Sequence, residues 1–456
     1  MNYTYYNKLK SISIDNKKEL NKYINLEISN INTKSENSYW GKTKAMKEYI
    51  KILRAIKLFN IFNNTKVINK YIDKKCSKFD KKIRALFIVN EYFVFPSFKS
   101  VYDRMRNDDN FICDLVYVPF SHSNKESNFD REFNDYIENG YKEIIHANNY
   151  KLHKASPDIV FYLKPYNNIP EQYCLEEVQR FVDKVIYIAY GLHSVDNDDI
   201  IKYEFQLPMQ DNAWYSIAYS SYVMELAKKY SKQKGKNYLL IGHPRMDLMN
   251  EDYSDNEWYK EVKKRANGRK IFLYDPHHTI NESYKWGTFK LYGLKILEYF
   301  KNNKDIFLLY RPHPLLKGSL EKEYQGNNSF FEKYNNLLNS ENIMYDDYKD
   351  YMIAMHISDY LISDANSFVP EFVMYNKPVI YIRHPEEDLI KDSELKSMLY
   401  VANSEKEIMN YIDDLRNGKD KLKSIRNKKV KSHFNYDENK TVAEKLIDII
   451  KKEYRG

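Results

Sequence analysis

The chain has 456 residues, a formal net charge of +8 and 15% aromatic residues, including 43 tyrosines; that length exceeds one ordinary core and predicts two α/β domains with an extension. Cys76, Cys113 and Cys174 share no metal or redox spacing, no apolar run approaches a membrane span, and the N-terminus lacks a signal-peptide apolar region. Disulfide scaffolds and membrane-spanning helices are thereby excluded, and the expected setting is the cytoplasm.

The charge is unevenly placed. Residues 42–84 hold fourteen Lys/Arg against Glu48, Asp73 and Asp80, so one local basic element needs explaining. Residues 1–40 are polar and weakly patterned, with short helices or disorder expected. Between 41 and 80, Ile50, Leu53, Ile56, Phe59 and Ile61 recur on a helical face among lysines, broken at Asn63-Asn64. Two readings stand: a helix packed on the body with a solvated basic back, or a basic amphipathic helix on an anionic membrane surface. Nucleic acid is not expected, because no aromatic-interleaved groove accompanies the charge.

Apolar runs at 85–89, 113–118, 158–162 and 185–189 read as strands with helical patterns between them, which predicts parallel βαβ units. A helix is expected at 219–229, and 231–237 is the best linker candidate. A second series follows, with strands at 238–241, 271–274, 306–310, 360–362 and 379–382, then a capping box at Ser404 and a closing amphipathic helix. The expected boundaries are 1–82 for the extension, 83–236 and 237–437 for two doubly wound domains, and 438–456 for the closing helix. No internal repeat is visible.

Several of these strands end in basic or histidine-bearing tails: Gly242-His243-Pro244-Arg245, Asp275-Pro276-His277-His278, Arg311-Pro312-His313-Pro314 and Arg383-His384-Pro385. Parallel strands present their carboxyl ends to one crevice, so the tails are expected to meet. Arginine offers a planar fork for phosphate oxygens, and a histidine donates to phosphate or exchanges a proton. In Ser363-Asp364-Ala365-Asn366-Ser367, Ser367 reads as an N-cap. Its helix amides would face an anion, and Glu371 would reach ribose hydroxyls; alternatively Asp364 and Ser367 merely cap the turn. Adjacent His277 and His278 lack metal-ligand spacing, and no metal site is expected. Tyr190-Gly191-Leu192-His193 follows a strand and offers His193 as a general base.

Two such domains across a cleft form the GT-B arrangement. The motifs resemble those of the CDP-glycerol glycerophosphotransferase family over roughly residues 85–440. Gly242-His243-Pro244-Arg245-Met246-Asp247 is similar to its G-x-P-R-x-D, and Arg311-Pro312-His313-Pro314 to its R/K-P-H-P. Tyr274-Asp275-Pro276-His277-His278-Thr279, followed by Gly287-Thr288-Phe289, resembles its strand end and Thr-Phe pair. Ser363-Asp364…Ser367…Glu371…Lys377-Pro378 resembles its S-D-x-S-S…E…K-P. Ala365-Asn366 departs from that pattern, and Tyr190–His193 matches only loosely the Trp-His-Gly-Thr element of teichoic acid polymerases.

The resemblance implies transfer of a phosphoalditol from a CDP-alditol to a hydroxyl of a polymer or lipid-linked saccharide, with release of CMP. It implies His193, His313 and His277 as catalytic residues. Donor binding would fall to Arg311, Arg245, His278, Ser363, Asp364, Asn366, Ser367 and Glu371. No cofactor is required, beyond Mg²⁺ accompanying the donor diphosphate. A GT-B glycosyltransferase using a CMP- or UDP-sugar, a nucleotide-sugar 2-epimerase and a non-catalytic polymer-binding module remain alternatives.

Overall fold

The computed structural model describes residues 2–13, 16–36, 38–62, 64–79, 81–120, 126–280 and 284–455. Continuous apolar runs form the strands, as expected for sheets covered on both faces. The first sheet comprises β1 (Ile83–Val89), β2 (Phe111–Tyr117), β3 (Ile145–His146), β4 (Ile159–Tyr162), β5 (Lys184–Tyr187), β6 (Tyr215–Ala218) and β7 (Tyr238–Leu240). The second comprises β8 (Lys270–Asp275), β9 (Ile306–Tyr310), β10 (Ile343–Tyr345), β11 (Tyr360–Ser363), β12 (Val379–Ile382) and β13 (Tyr400–Ala402). The strand orders are β3-β2-β1-β4-β5-β6-β7 and β10-β9-β8-β11-β12-β13, and every pairing is parallel. Strand order reverses between β1 and β4 in one sheet and between β8 and β11 in the other, and such switch points open a crevice beyond the strand ends.

The domain boundary differs from the expected one. Strand β7 pairs with β6, so the first sheet runs past residue 237, and 231–237 is the turn into that strand. The passage to the second sheet comes later, through Pro244–Leu248 and the helix Glu257–Ala266. A Lys/Gly-rich turn and a linker carry the same composition; only pairing separates them.

The polar N-terminus folds into α1 (Tyr3–Lys10) and α2 (Lys17–Ser35), followed by α3 (Lys44–Ile61) and α4 (Thr65–Cys76). These helices cover one face of the first sheet, with Leu20, Ile24, Tyr49, Leu53, Ile56 and Ile68 packed against Leu86, Ile88 and Val160. Packing on the sheet, rather than helix propensity, orders α1 and α2. The inner face of α3 is thus a body-packing face, and its lysines point outward. A second apolar cluster joins the other face of the first sheet to one face of the second, from Phe87 and Phe161 to Leu273 and Leu361. The helix Val442–Arg455 belongs to that cluster and returns to the first domain, where Tyr454 donates to the Asp158 carbonyl at 2.6 Å.

Candidate active site

Register builds the site. Ser363 lies opposite Asp275, and Tyr310 opposite Tyr274, so the loops leaving β8, β9 and β11 start side by side. The His313 N–H donates to the Pro276 carbonyl (3.0 Å), tying the first two loops together. Asp364 ties in the third: one carboxylate oxygen accepts from the His277 N–H (2.8 Å), the other from the Thr288 N–H (2.8 Å). Gly287 is required there, because a Cβ would fall 2.2 Å from the Thr279 carbonyl oxygen. The result is a cluster of three imidazoles, with ring centroids 4.4 Å apart for His277–His278, 4.5 Å for His278–His313 and 5.2 Å for His277–His313. Trp286 packs beside it, 5.3 Å from His277.

The turns fix which nitrogen carries the proton. Nδ1 of His313 accepts the Leu315 N–H (3.2 Å), and Nδ1 of His277 accepts the Thr279 N–H (3.3 Å). The same turn recurs at His243 with the Arg245 N–H and at His384 with the Glu386 N–H. A neutral ring whose Nδ1 accepts must hold its hydrogen on Nε2. Burial, with neighbouring His278 and His313, pushes His277 down to about 2; burial and His278 push His313 down to about 4. Both rings are therefore neutral near pH 7 and offer Nε2–H donors, which suit an anion.

One ring nitrogen from each of the three histidines lies within 4.8 Å of the other two, close enough to suggest a metal site. A metal on Nε2 would need the hydrogen on Nδ1, where a backbone N–H already points, so the preset tautomers oppose it. Nor do the nearby carboxylates fit Mg²⁺, which favours oxygen ligands. Asp364 is engaged by its three N–H and O–H donors and Asp275 by Asn366; burial raises Asp364 to about 7, and burial with Asp364 raises Asp275 to about 8.

Several expected donor contacts are internal contacts instead. Arg311 donates to Asp346 (2.9 Å) and the Tyr348 carbonyl (2.8 Å), bracing the β9–β10 edge. Arg245 and Glu371 pair with each other at 2.6 Å, both buried, and Glu371 also accepts from Tyr351. Ser363 donates to the Asp275 carbonyl (2.9 Å) and is fully buried. Ser367 is not the cap: its backbone is helical and Asn366 Oδ1 accepts the Phe368 N–H (2.8 Å), while Asn366 Nδ2 reaches Asp275 (2.8 Å). Ser367 does face the first domain, its Cβ 3.9 Å from where a Gly191 Cβ would stand.

His193 also departs from its expected role. Its Nδ1 meets Glu204 at 2.6 Å and its Nε2 meets Asp196 at 3.1 Å. Burial alone would lower its pKa, but Glu204 and Asp196 together overcome burial and raise it to about 10. The ring is thus an imidazolium with both nitrogens occupied, not a base. Asp196 in turn accepts the Lys391 N–H (2.9 Å) and donates its own N–H to the Leu389 carbonyl (2.9 Å), so this network latches the two domains.

Residues 191–452 match the family described as CDP-glycerol:poly(glycerophosphate) glycerophosphotransferase. The teichoic acid ribitol-phosphate polymerase TarL of Staphylococcus aureus (strain NCTC 8325 / PS 47) is 25% identical over 171 residues, 34% of this chain and 26% of that protein. The teichoic acid poly(glycerol phosphate) polymerase of Bacillus spizizenii (strain ATCC 23059 / NRRL B-14472 / W23) is 26% identical over 174 residues, 37% and 40% of the two chains. The chain thus spans less than half the length of these curated relatives. Among solved structures, a UDP-GlcNAc 2-epimerase from Neisseria meningitidis bound to UDP-GlcNAc has a TM-score of 0.56 at 14% identity, covering 81% of this chain and 100% of that one. A variant of the wall teichoic acid polymerase TagF soaked with CDPG has 0.54 at 15% identity, covering 88% and 94%. Both likenesses concern the two-domain GT-B-like fold, which unrelated activities share. The family match extends over more than half of the sequence, and the chain belongs to the CDP-glycerol:poly(glycerophosphate) glycerophosphotransferase family.

Proposed function

We propose that this protein transfers a phosphoalditol, glycerol phosphate in the simplest case, from a CDP-alditol to a hydroxyl of a cell-surface polymer or lipid-linked saccharide. The acceptor oxygen bonds to the phosphorus bearing the alditol. The bond from that phosphorus to the bridging oxygen breaks, CMP leaves with the electron pair, and the proton of the acceptor hydroxyl passes to solvent water. Phosphoryl transfer of this kind rests on positioning and charge stabilisation more than on covalent help from the protein.

The observation that carries this reading is the pair of Nε2–H donors on His277 and His313, held at the second sheet's switch point by their own turns. Both would bond the diphosphate oxygens, His278 would complete the cradle, and Ser367 would approach from the cleft wall. Arg311, Arg245 and Glu371 hold the loops in place, and no step passes through a metal. His193 acts as a charged brace. The place of action is the cytoplasm, at the inner face of the membrane.

CMP release tests this, with CDP-glycerol and CDP-ribitol as donors and a polyol-phosphate oligomer as acceptor. Loss of one preorganised donor in His313→Ala is expected to lower the rate roughly 10²–10³-fold without loss of fold. Near-normal turnover in that variant, or interconversion of UDP-sugars without an acceptor, overturns the reading.

A further inference from the structure

A row of aromatic rings leads from the histidine cradle toward the first domain. Trp286 stands 5.3 Å from His277 and 5.4 Å from Tyr284, centroid to centroid. The Tyr284 hydroxyl crosses the cleft and donates to Asp199 (3.0 Å), in the first turn of the helix Asp198–Phe205. Tyr203 lies four residues further along that helix and so on the same face. It meets Tyr166 at 6.3 Å, and Tyr166 meets Phe120 at 6.3 Å. Tyr166 and Phe120 lie beyond the carboxyl ends of β4 and β2, the neighbours of β1, so the row ends at the first sheet's own switch point. Tyr284 is 42% exposed and Tyr203 47%, although each sits beside another ring.

The charges along this row do not favour an anion. Lys164, 3.9 Å above the Phe120 ring, is taken by Glu91 at 2.6 Å. Lys285 pairs with Glu386 at 3.2 Å. Lys202 follows Asp198 and Asp199 by one helical turn, so two carboxylates stand against it. A poly(polyol phosphate) chain carries a negative charge on every unit, which calls for arginine forks or uncommitted lysines. It is also acyclic and offers aromatic faces nothing flat to cover. A saccharide ring suits the row on both counts: it is neutral, and its ring C–H bonds present a slightly positive surface to the negative face of an aromatic ring. We infer that Trp286, Tyr284, Tyr203 and Tyr166 form an acceptor track for a neutral saccharide. Its sugar rings lie on the aromatic faces, and its terminal hydroxyl reaches the cradle at His277 and His313. The inference rests on the transfer reading and selects within it, making a sugar ring rather than a polyol phosphate the preferred acceptor.

CMP release by the full chain tests it, with CDP-glycerol and CDP-ribitol as donors and two kinds of acceptor: octyl glycosides of neutral disaccharides, and a glycerol-phosphate trimer. The best glycoside is expected to show a KM roughly tenfold or more below that of the trimer, and one that does not move with ionic strength, as befits an uncharged ligand. Tyr203→Ala is expected to raise the glycoside KM roughly 10-fold while kcat and donor KM hold, and Tyr203→Phe, which keeps the ring, to restore it. Thermal unfolding should be the same in all three proteins, because the Tyr203 side chain is half exposed. A trimer KM at or below that of every glycoside overturns the inference and leaves the transfer reading standing. So does an unchanged glycoside KM in Tyr203→Ala. CMP release that neither kind of acceptor stimulates overturns the transfer reading itself, and this inference with it.

Discussion

Replacing Glu371 by Gln tests whether that carboxylate is a brace or a ligand. Glu371 is fully buried, with one oxygen 2.6 Å from Arg245 and the other accepting the Tyr351 hydroxyl at 3.0 Å. Arg245 is 4% exposed, and its remaining fork is aimed at the Tyr190 carbonyl. The amide preserves shape and the Tyr351 contact but leaves a guanidinium charge uncompensated inside the protein, which costs about 3–5 kcal/mol. Removing both charges in Arg245→Met/Glu371→Leu relieves that penalty, while the Tyr351 hydroxyl and Tyr190 carbonyl lose partners at about 1–3 kcal/mol each. Urea unfolding followed by tryptophan fluorescence is therefore expected to give a large loss for the single variant and a smaller loss per residue for the double. Donor KM in the surviving folded fraction should stay within a few-fold of the parent. Unchanged stability together with a tenfold or greater rise in donor KM would refute the brace and make Glu371 a ribose contact.

The remaining predictions concern charge. His193 is held near 10, above the ordinary 6.5, so its contribution to stability is fully present below about 6.5 and is lost as pH climbs through 10. The gap in unfolding free energy between the parent and His193→Asn should therefore narrow across that window; a gap that widens would contradict the imidazolium. Asp275 is raised from 3.8 to about 8, so the folded chain keeps a proton that the unfolded chain releases, and stability should fall as pH rises from 3.8 to 8. Asp275→Asn, matching the protonated shape, should flatten that slope in urea titrations, and an unaltered slope would assign it elsewhere. For His277→Ala, the rate of CMP release should fall roughly 10²–10³-fold, and chelators should leave the parent rate unchanged. Inhibition by chelators would contradict the tautomers assigned to His277 and His313.

Much of the architecture was legible in the sequence because strands buried on both faces are unbroken apolar runs; β9 and β12 fall where their hydrophobicity places them. The strand ends carrying His277 and His313 were legible for the same reason. What a side chain does at such an end was not. Arg311 reads as a phosphate fork until Asp346, 35 residues away, is seen to take it, and Arg245 finds Glu371 across 126 residues. Local spacing holds no trace of such partners. The role of His193 was hidden similarly: Asp196 is near in sequence, but the latch to Leu389 and Lys391 exists only once the domains meet. Strand β7 was assigned to the wrong domain because a short apolar run announces a strand and not its neighbour.

The helix Val442–Arg455, seated on the first domain with Leu446, Ile447 and Ile450 buried, makes that lobe discontinuous in the chain. An exchange of lobes between relatives must therefore carry two separate pieces. A cut made after Leu248 alone would deprive the second half's own tail of its seat and leave an oily stripe in water.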